Sequence, residues 1–213
     1  GLFLQAQTGR FLAAENFVNL LHHSAVLGLL TLGLTFVVIT GEFDLGLANL
    51  NALSGMVVAE LLINQKWSTW PAFGATVLLG FVMGMIVGFL IGYRRYMSIA
   101  VTLASANIFL GLAYLISEGQ PIRGDMPASF RVLGTGSILG LPNVVWVGIF
   151  FYLIGYFVLN RHRVGHYLYA VGSNREAARA AGIPVRRLMM ATFMISGTLA
   201  ALGACMNTAW IGS

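Results

Sequence analysis

The chain has 213 residues, 58% of them hydrophobic and only 9% charged, with a mean hydropathy of +0.82. Soluble domains carry about a quarter charged residues, so these proportions exclude a water-soluble fold and predict an all-α, polytopic bundle solvated by lipid and by its own helices. The net charge of +5 does not indicate nucleic acid, because the arginines cluster beside apolar stretches as in cytoplasmic loops. The single Cys205 excludes an internal disulfide and a multi-cysteine metal site.

A spanning helix needs about 20 mostly apolar residues, and six stretches qualify: 22–41, 45–63, 71–92, 99–117, 143–160 and 188–209. The first two are separated by the acidic hinge Gly41-Glu42-Phe43-Asp44, which either joins two helices on the inner side or interrupts a helix within the membrane. Lys66, Trp67 and Trp70 precede the third stretch, within which Gly80, Gly84, Gly88 and Gly92 recur every four residues and line one face where another backbone can approach closely. Trp67, Trp70, Tyr93 and Tyr96 stand where aromatic belts lie, and Arg94-Arg95 follow directly. The connection 161–187 holds Arg161, Arg163, Arg175, Arg179, Arg186 and Arg187 against Glu176 alone. The positive-inside rule assigns it and the Arg94-Arg95 turn to the cytoplasm, which puts residues 1–16, the Lys66 turn, the segment 118–142 and the C-terminus outside. The chain opens at Gly1 with neither Met nor a cleavable signal and stops at Ser213 after an apolar stretch, so residues 1–213 are expected to be one transmembrane domain, incomplete at both ends.

Polar residues within spans must find a partner or line a wet path. Asn49, Asn51 and Ser54 lie along the second stretch, Thr102, Ser105 and Asn107 along the fourth, and Ser196, Thr198 and Asn207 along the sixth. Asn51 and Ser54 are three apart and share a helix face, as do Thr102 and Ser105. Interhelical hydrogen bonding is one reading; a neutral lining for a polar uncharged solute is the other, with Asn51, Ser54, Thr102 and Asn107 as candidates. Asp44 is the candidate gate residue, expected to stabilise an inner gate or adjacent helix ends rather than to touch solute.

No phosphate-cradling G-x-x-x-x-G-K-[ST] loop is present, since Lys66 is the only lysine and Gln65 precedes it. Adjacent His22 and His23 point about 100° apart on a helix rather than toward one metal. Ala52-Leu53-Ser54-Gly55 falls one residue short of a G-x-S-G nucleophile turn, and every histidine lies near a span end or in the basic loop, away from that serine. An intramembrane hydrolase is thereby disfavoured. A proton- or ion-coupled carrier needs titratable groups deep in the bundle, and Glu60 is the sole candidate outside the Glu42/Asp44 hinge.

Within the basic connection, residues 173–184 carry start and stop signals for a short helix. Ser173 and Glu176 fit an S-x-x-E capping box, and Gly182 and Pro184 end the segment after about 12 Å. Alanines with little bulk and arginines able to pair with acids suit either a peg for a groove on another protein or an interfacial helix touching lipid headgroups.

Several of these patches resemble, in order, the permeases of bacterial ABC importers for ribose, xylose, galactose and related sugars. Thr40-Gly41-Glu42-Phe43-Asp44-Leu45 with Ala52-Leu53-Ser54-Gly55 is similar to that family's T-G-G-I-D-L-S and A-L-S-G blocks. Val101-Thr102-Leu103, Gly111-Leu112-Ala113 and Gly119-Gln120-Pro121-Ile122 match its T-L, R-G-L and G-x-P-I run. The most specific likeness is Gly165-His166-Tyr167-Leu168-Tyr169-Ala170-Val171-Gly172-Ser173-Asn174 with Glu176-Ala177-Ala178 and Gly182-Ile183. Glu42-Phe43 stand where the family has Gly-Ile, Gly46 where it has Ser, and His166 where it has Arg. The resemblance implies that Ser173, Asn174, Arg175, Glu176, Ala177, Ala178, Arg179 and Gly182 form the coupling helix that docks into a cytoplasmic ATP-binding subunit. It further implies that ATP and Mg are held by that partner and no cofactor by this chain, that two permease copies, identical or related, associate in the inner membrane, and that a periplasmic binding protein delivers the solute. Paired permeases then work by alternating access.

Overall fold

A computed structural model describes residues 14–212; the first thirteen residues, which carry most of the 1–16 segment expected outside, and Ser213 lie beyond the described part. The chain order is α1 (Ala14–Ile39), α2 (Leu47–Ala59) continued by a π-helical turn (Glu60–Asn64), α3 (Thr69–Gly92), α4 (Ser98–Ser117) and α5 (Ala128–Thr135). There follow a two-strand antiparallel hairpin, β1 (Ser137–Ile138) with β2 (Leu141–Pro142), then α6 (Asn143–Arg161), α7 (Arg163–Ser173), α8 (Arg175–Ala180) and α9 (Val185–Ile211). Among the described residues, six helices are long and apolar enough to cross a membrane: Asn16–Ile39, Leu47–Asn64, Thr69–Gly92, Ser98–Ser117, Asn143–Arg161 and Val185–Ile211. The first begins earlier than its purely apolar window, and the last starts at Val185, where Pro184 supplies a break before the first helical turn.

The most buried of the six is α9, packed against α3, α1, α2 and α5. Its closest partner is α3. Gly80, Gly84, Gly88 and Gly92 face Gly197, Phe193, Met190 and Arg186 of α9 in antiparallel register, and a methyl added at Gly88 would come within 2.8 Å of the Met190 carbonyl. At Gly80 and Gly84 it would overlap carbonyl oxygens outright. Backbones this close gain dispersion contacts along the whole seam, the main source of helix association where lipid removes the hydrophobic drive.

The two faces of the bundle's connections separate cleanly. Glu42, Arg95, Arg175 and Arg179 border one small cavity at one end, whereas Glu60 and Asn64 meet Gln120–Arg123 at the other. Arg95 and the basic connection thus share one end, as the parity of the spans requires. The segment 40–46 is a break between two helices, with Gly41 turning at φ +79° and Asp44 reaching Ser196 well along α9.

Two parts of the chain hold more structure than their sequence indicates. Segment 118–142 contains α5, whose Phe130 is fully buried and whose Gly134 lies against the α9 backbone at Ala209–Trp210. The basic connection contains α7 in addition to the short helix. α7 buries Gly165, Leu168 and Val171 and exposes His166, Tyr167 and Tyr169, and His162 caps it by accepting the Val164 N–H at 3.3 Å. His22 of α1 is fully buried and stacked on Trp210 of α9 at 4.4 Å, packed as an aromatic ring.

Candidate functional site

At the end of the bundle that carries the basic connection, the short helix expected over 173–184 is α8, six residues and about 9 Å long. Its cap is not the Ser173/Glu176 box. Ser173 is the last residue of α7, and Asn174, extended at φ −159°, accepts the N–H groups of Glu176 and Ala177 at 3.0 Å each. The physical reason is the bend: two helices meet at residue 174, so the residue with extended backbone does the capping, and asparagine serves as well as serine there. The stop is a Schellman motif, in which Gly182 at φ +79° donates to Arg179 and Ile183 donates to Ala178. Ala178 is turned inward and buried, while Glu176, Ala177, Arg179 and Ala180 are exposed.

Arg175 ties α8 to the hinge. Its guanidinium donates to the Thr40 carbonyl at 3.0 Å and lies 2.7 Å from Glu42 Oε1, whose side chain is only 8% exposed. The same guanidinium therefore satisfies a carbonyl left free at the end of α1 and neutralises a nearly buried carboxylate. Gly172 abuts the Ile39 carbonyl so closely that no side chain would fit. Asp44 completes the hinge: one carboxylate oxygen accepts the Gly46 N–H at 3.0 Å, at the start of α2, and the other accepts the Ser196 hydroxyl of α9 at 3.2 Å. Burial pushes the Asp44 carboxyl above its ordinary range, against the opposing pull of hydrogen bonds from the Gly46 backbone, Ser196 and the Leu47 backbone.

Toward the opposite end, α2, α9 and residues 121–126 border an open cavity of about 600 Å3. Asn51, Asn207, Thr208 and Arg123 supply its polar groups, and Gly55, Met56, Ala59 and Ile63 its apolar wall. Asn51 uses its amide N–H on the Ala200 carbonyl at 2.8 Å, which fixes the side chain and leaves its carbonyl oxygen available. Such a chamber, with an apolar wall and a few convergent hydrogen-bonding groups of which one is a guanidinium, has the make-up of a small-molecule pocket.

Of the sequence candidates, Asn51 alone reaches this cavity. Ser54 is fully buried, as is Thr102, whose hydroxyl donates to the Ser98 carbonyl at 2.8 Å, and neither lines it. Asn107 is exposed on α4 with its amide on the Leu103 carbonyl at 2.9 Å. The committee of polar groups around Asn51 includes Thr208 and Arg123, which sequence reasoning passed over. Thr208 follows Asn207 on the same helix end, and only the fold brings residue 123 beside residue 51. The Arg175–Glu42 pair was equally hidden, although an acid in a span-linking hinge was itself the cue that a cation must stand nearby.

Among the described residues, six helices long and apolar enough to span a membrane, a basic end with an exposed short helix and a polar-edged cavity at the other end make up a polytopic membrane protein. The chain belongs to the family described as branched-chain amino acid transport system / permease component, whose model matches residues 16–213. Its relatives carry sugar names. It is 28% identical over 206 residues to the ribose import permease protein RbsC of Escherichia coli, covering 95% of this chain and 64% of that one. It is 34% identical over 196 residues to the L-arabinose ABC transporter permease protein AraH of Azospirillum brasilense (92% and 57%), and 36% identical over 175 residues to the L-arabinose transport system permease protein AraH of E. coli (82% and 53%). The chain thus spans between half and two-thirds of the length of these curated relatives. No solved structure matches it.

Proposed function

We propose that this chain is the permease part of an ATP-driven importer for a small neutral sugar, housed in the bacterial inner membrane and powered by separate ATP-binding subunits that carry the ATP and Mg. The supporting observation is the Arg175 tie. An exposed helix face, Glu176 with Ala177, Arg179 and Ala180, is joined through Arg175 to Thr40 and Glu42. The hinge that follows leads directly into α2, which carries Asn51 to the chamber. Docking at α8 and solute at Asn51 then share one mechanical element. A periplasmic binding protein delivers the sugar to the outer mouth, a second permease copy closes the chamber, and closure of the ATP-binding subunits shifts the pair toward its inward-open state. The hydroxyl groups of the sugar exchange water for the Asn51, Asn207 and Thr208 side chains, with the Arg123 guanidinium as a further donor at the wall.

The test is co-purification with the cognate ATP-binding subunit and uptake of radiolabelled ribose and arabinose by proteoliposomes. Ala177→Trp adds bulk to an exposed alanine and is expected to abolish both association and uptake, with membrane insertion intact. Undiminished association by that variant would overturn the docking assignment.

A further inference from the structure

On the flank of the bundle, α6 and α9 each pack on α1 and leave between them a groove of about 460 Å3. Leu32 and Phe36 of α1 form its floor. The groove is apolar throughout except for Thr198, whose hydroxyl is spent on the Met194 carbonyl at 2.7 Å. Each wall continues into an arginine. On α9, the lining residues Ala191, Ile195 and Thr198 follow Arg187 by four, eight and eleven positions, one helical stripe. On α6, the lining residues Ile154 and Val158 precede Arg161 by seven and three, again one stripe. Both arginines are exposed, and among the described residues neither has an acidic partner.

We infer that this groove binds one acyl chain of an anionic phospholipid from the inner leaflet, with the headgroup phosphate held between Arg161 and Arg187. The dimensions agree with a single leaflet. Arg187 to Thr198 rises about 16 Å along α9, against roughly 15 Å for half of a hydrocarbon core about 30 Å thick. Charge selects the occupant. Arg161 and Arg187 each stand one helical turn beyond the last lining residue of their wall, Val158 and Ala191; guanidiniums match an anionic headgroup in bidentate geometry, and these two lie at the end of the bundle that the positive-inside rule places against the anionic leaflet. A zwitterionic lipid brings an ammonium that the same pair repels. The inference rests on that orientation and is independent of the transported solute.

The experiment is native mass spectrometry of the full purified chain titrated with phosphatidylglycerol or phosphatidylcholine. One phosphatidylglycerol should be retained with a preference of roughly tenfold or more, given about a factor of five from each arginine. The double variant Arg161→Gln/Arg187→Gln should lose that preference, whereas Arg94→Gln/Arg95→Gln, a basic turn outside the groove, should keep it. Equal retention of the two lipids by the unmodified chain, or an unchanged preference in the Arg161/Arg187 variant, overturns the site. A benzophenone cross-linker placed at Ile195 reads the occupant in native membranes independently of lipid titration. A lipid adduct supports the proposal, and an adduct to another helix or a second copy overturns it.

Discussion

At Asp44 two effects compete. Its carboxylate receives two backbone N–H groups and the Ser196 hydroxyl, yet burial outweighs them and raises its proton affinity above the ordinary value of 3.8. The folded state therefore holds this proton more tightly than the unfolded chain does. The stability that Asp44 contributes is full below pH about 4 and is lost as pH rises through the elevated folded value, because in that window the native state binds the extra proton. Asp44→Asn mimics the neutral form. The variant is expected to unfold in detergent at the same temperature as the unmodified chain at acid pH and at a higher one at pH 8, with a flatter dependence between. Parallel pH curves for the two would show that the carboxyl does not titrate as described. Residues such as these were only half visible in the sequence. The hinge acids announced themselves by lying between apolar spans, but Arg175 and Ser196, which complete them, are 133 and 152 positions away from Glu42 and Asp44. No local pattern carries that pairing.

Among the elements, the α3–α9 seam depends on the absence of side chains at regular intervals. Gly84→Ala places a methyl into the Phe193 carbonyl, whereas Gly111→Ala on α4 meets nothing within 4 Å. The first is expected to cost about 1–3 kcal/mol through forced separation of two backbones. The second should be neutral or stabilising by up to about 1 kcal/mol through helix propensity. Thermal unfolding of the two variants in the same detergent checks the contrast, and equal effects would refute it. The glycine stripe was legible because a four-residue period has one structural meaning on a helix, and the six spans because 20 apolar residues have one meaning in a membrane. α5 and α7 were not, because segments of 8 and 11 residues with mixed polarity are equally compatible with loops. The cap of α8 was misplaced by one residue for a related reason: both Ser173 and Asn174 can cap, and the choice is made by where α7 ends.

For the whole molecule, the central question is which side each end faces. The Arg-rich connection and the hinge meet at one end and the 118–142 segment lies at the other, so labelling of two single positions tests the entire arrangement. Cys205 is buried and should stay silent toward a membrane-impermeant maleimide. Ala177→Cys should react only from the cytosolic side and Leu139→Cys, at the exposed hairpin tip, only from outside. Reversed reactivity would invalidate both the docking and the lipid assignments. The bundle also separates its moving parts by kind of contact. The α3–α9 seam is lined with backbone and glycine, while the joint between α8 and the hinge is held by one guanidinium gripping a carbonyl and a carboxylate together. A joint anchored at two points has little backlash: if α8 docks as proposed, a small displacement of its exposed face is expected to reach Thr40 and Glu42 through that one cation.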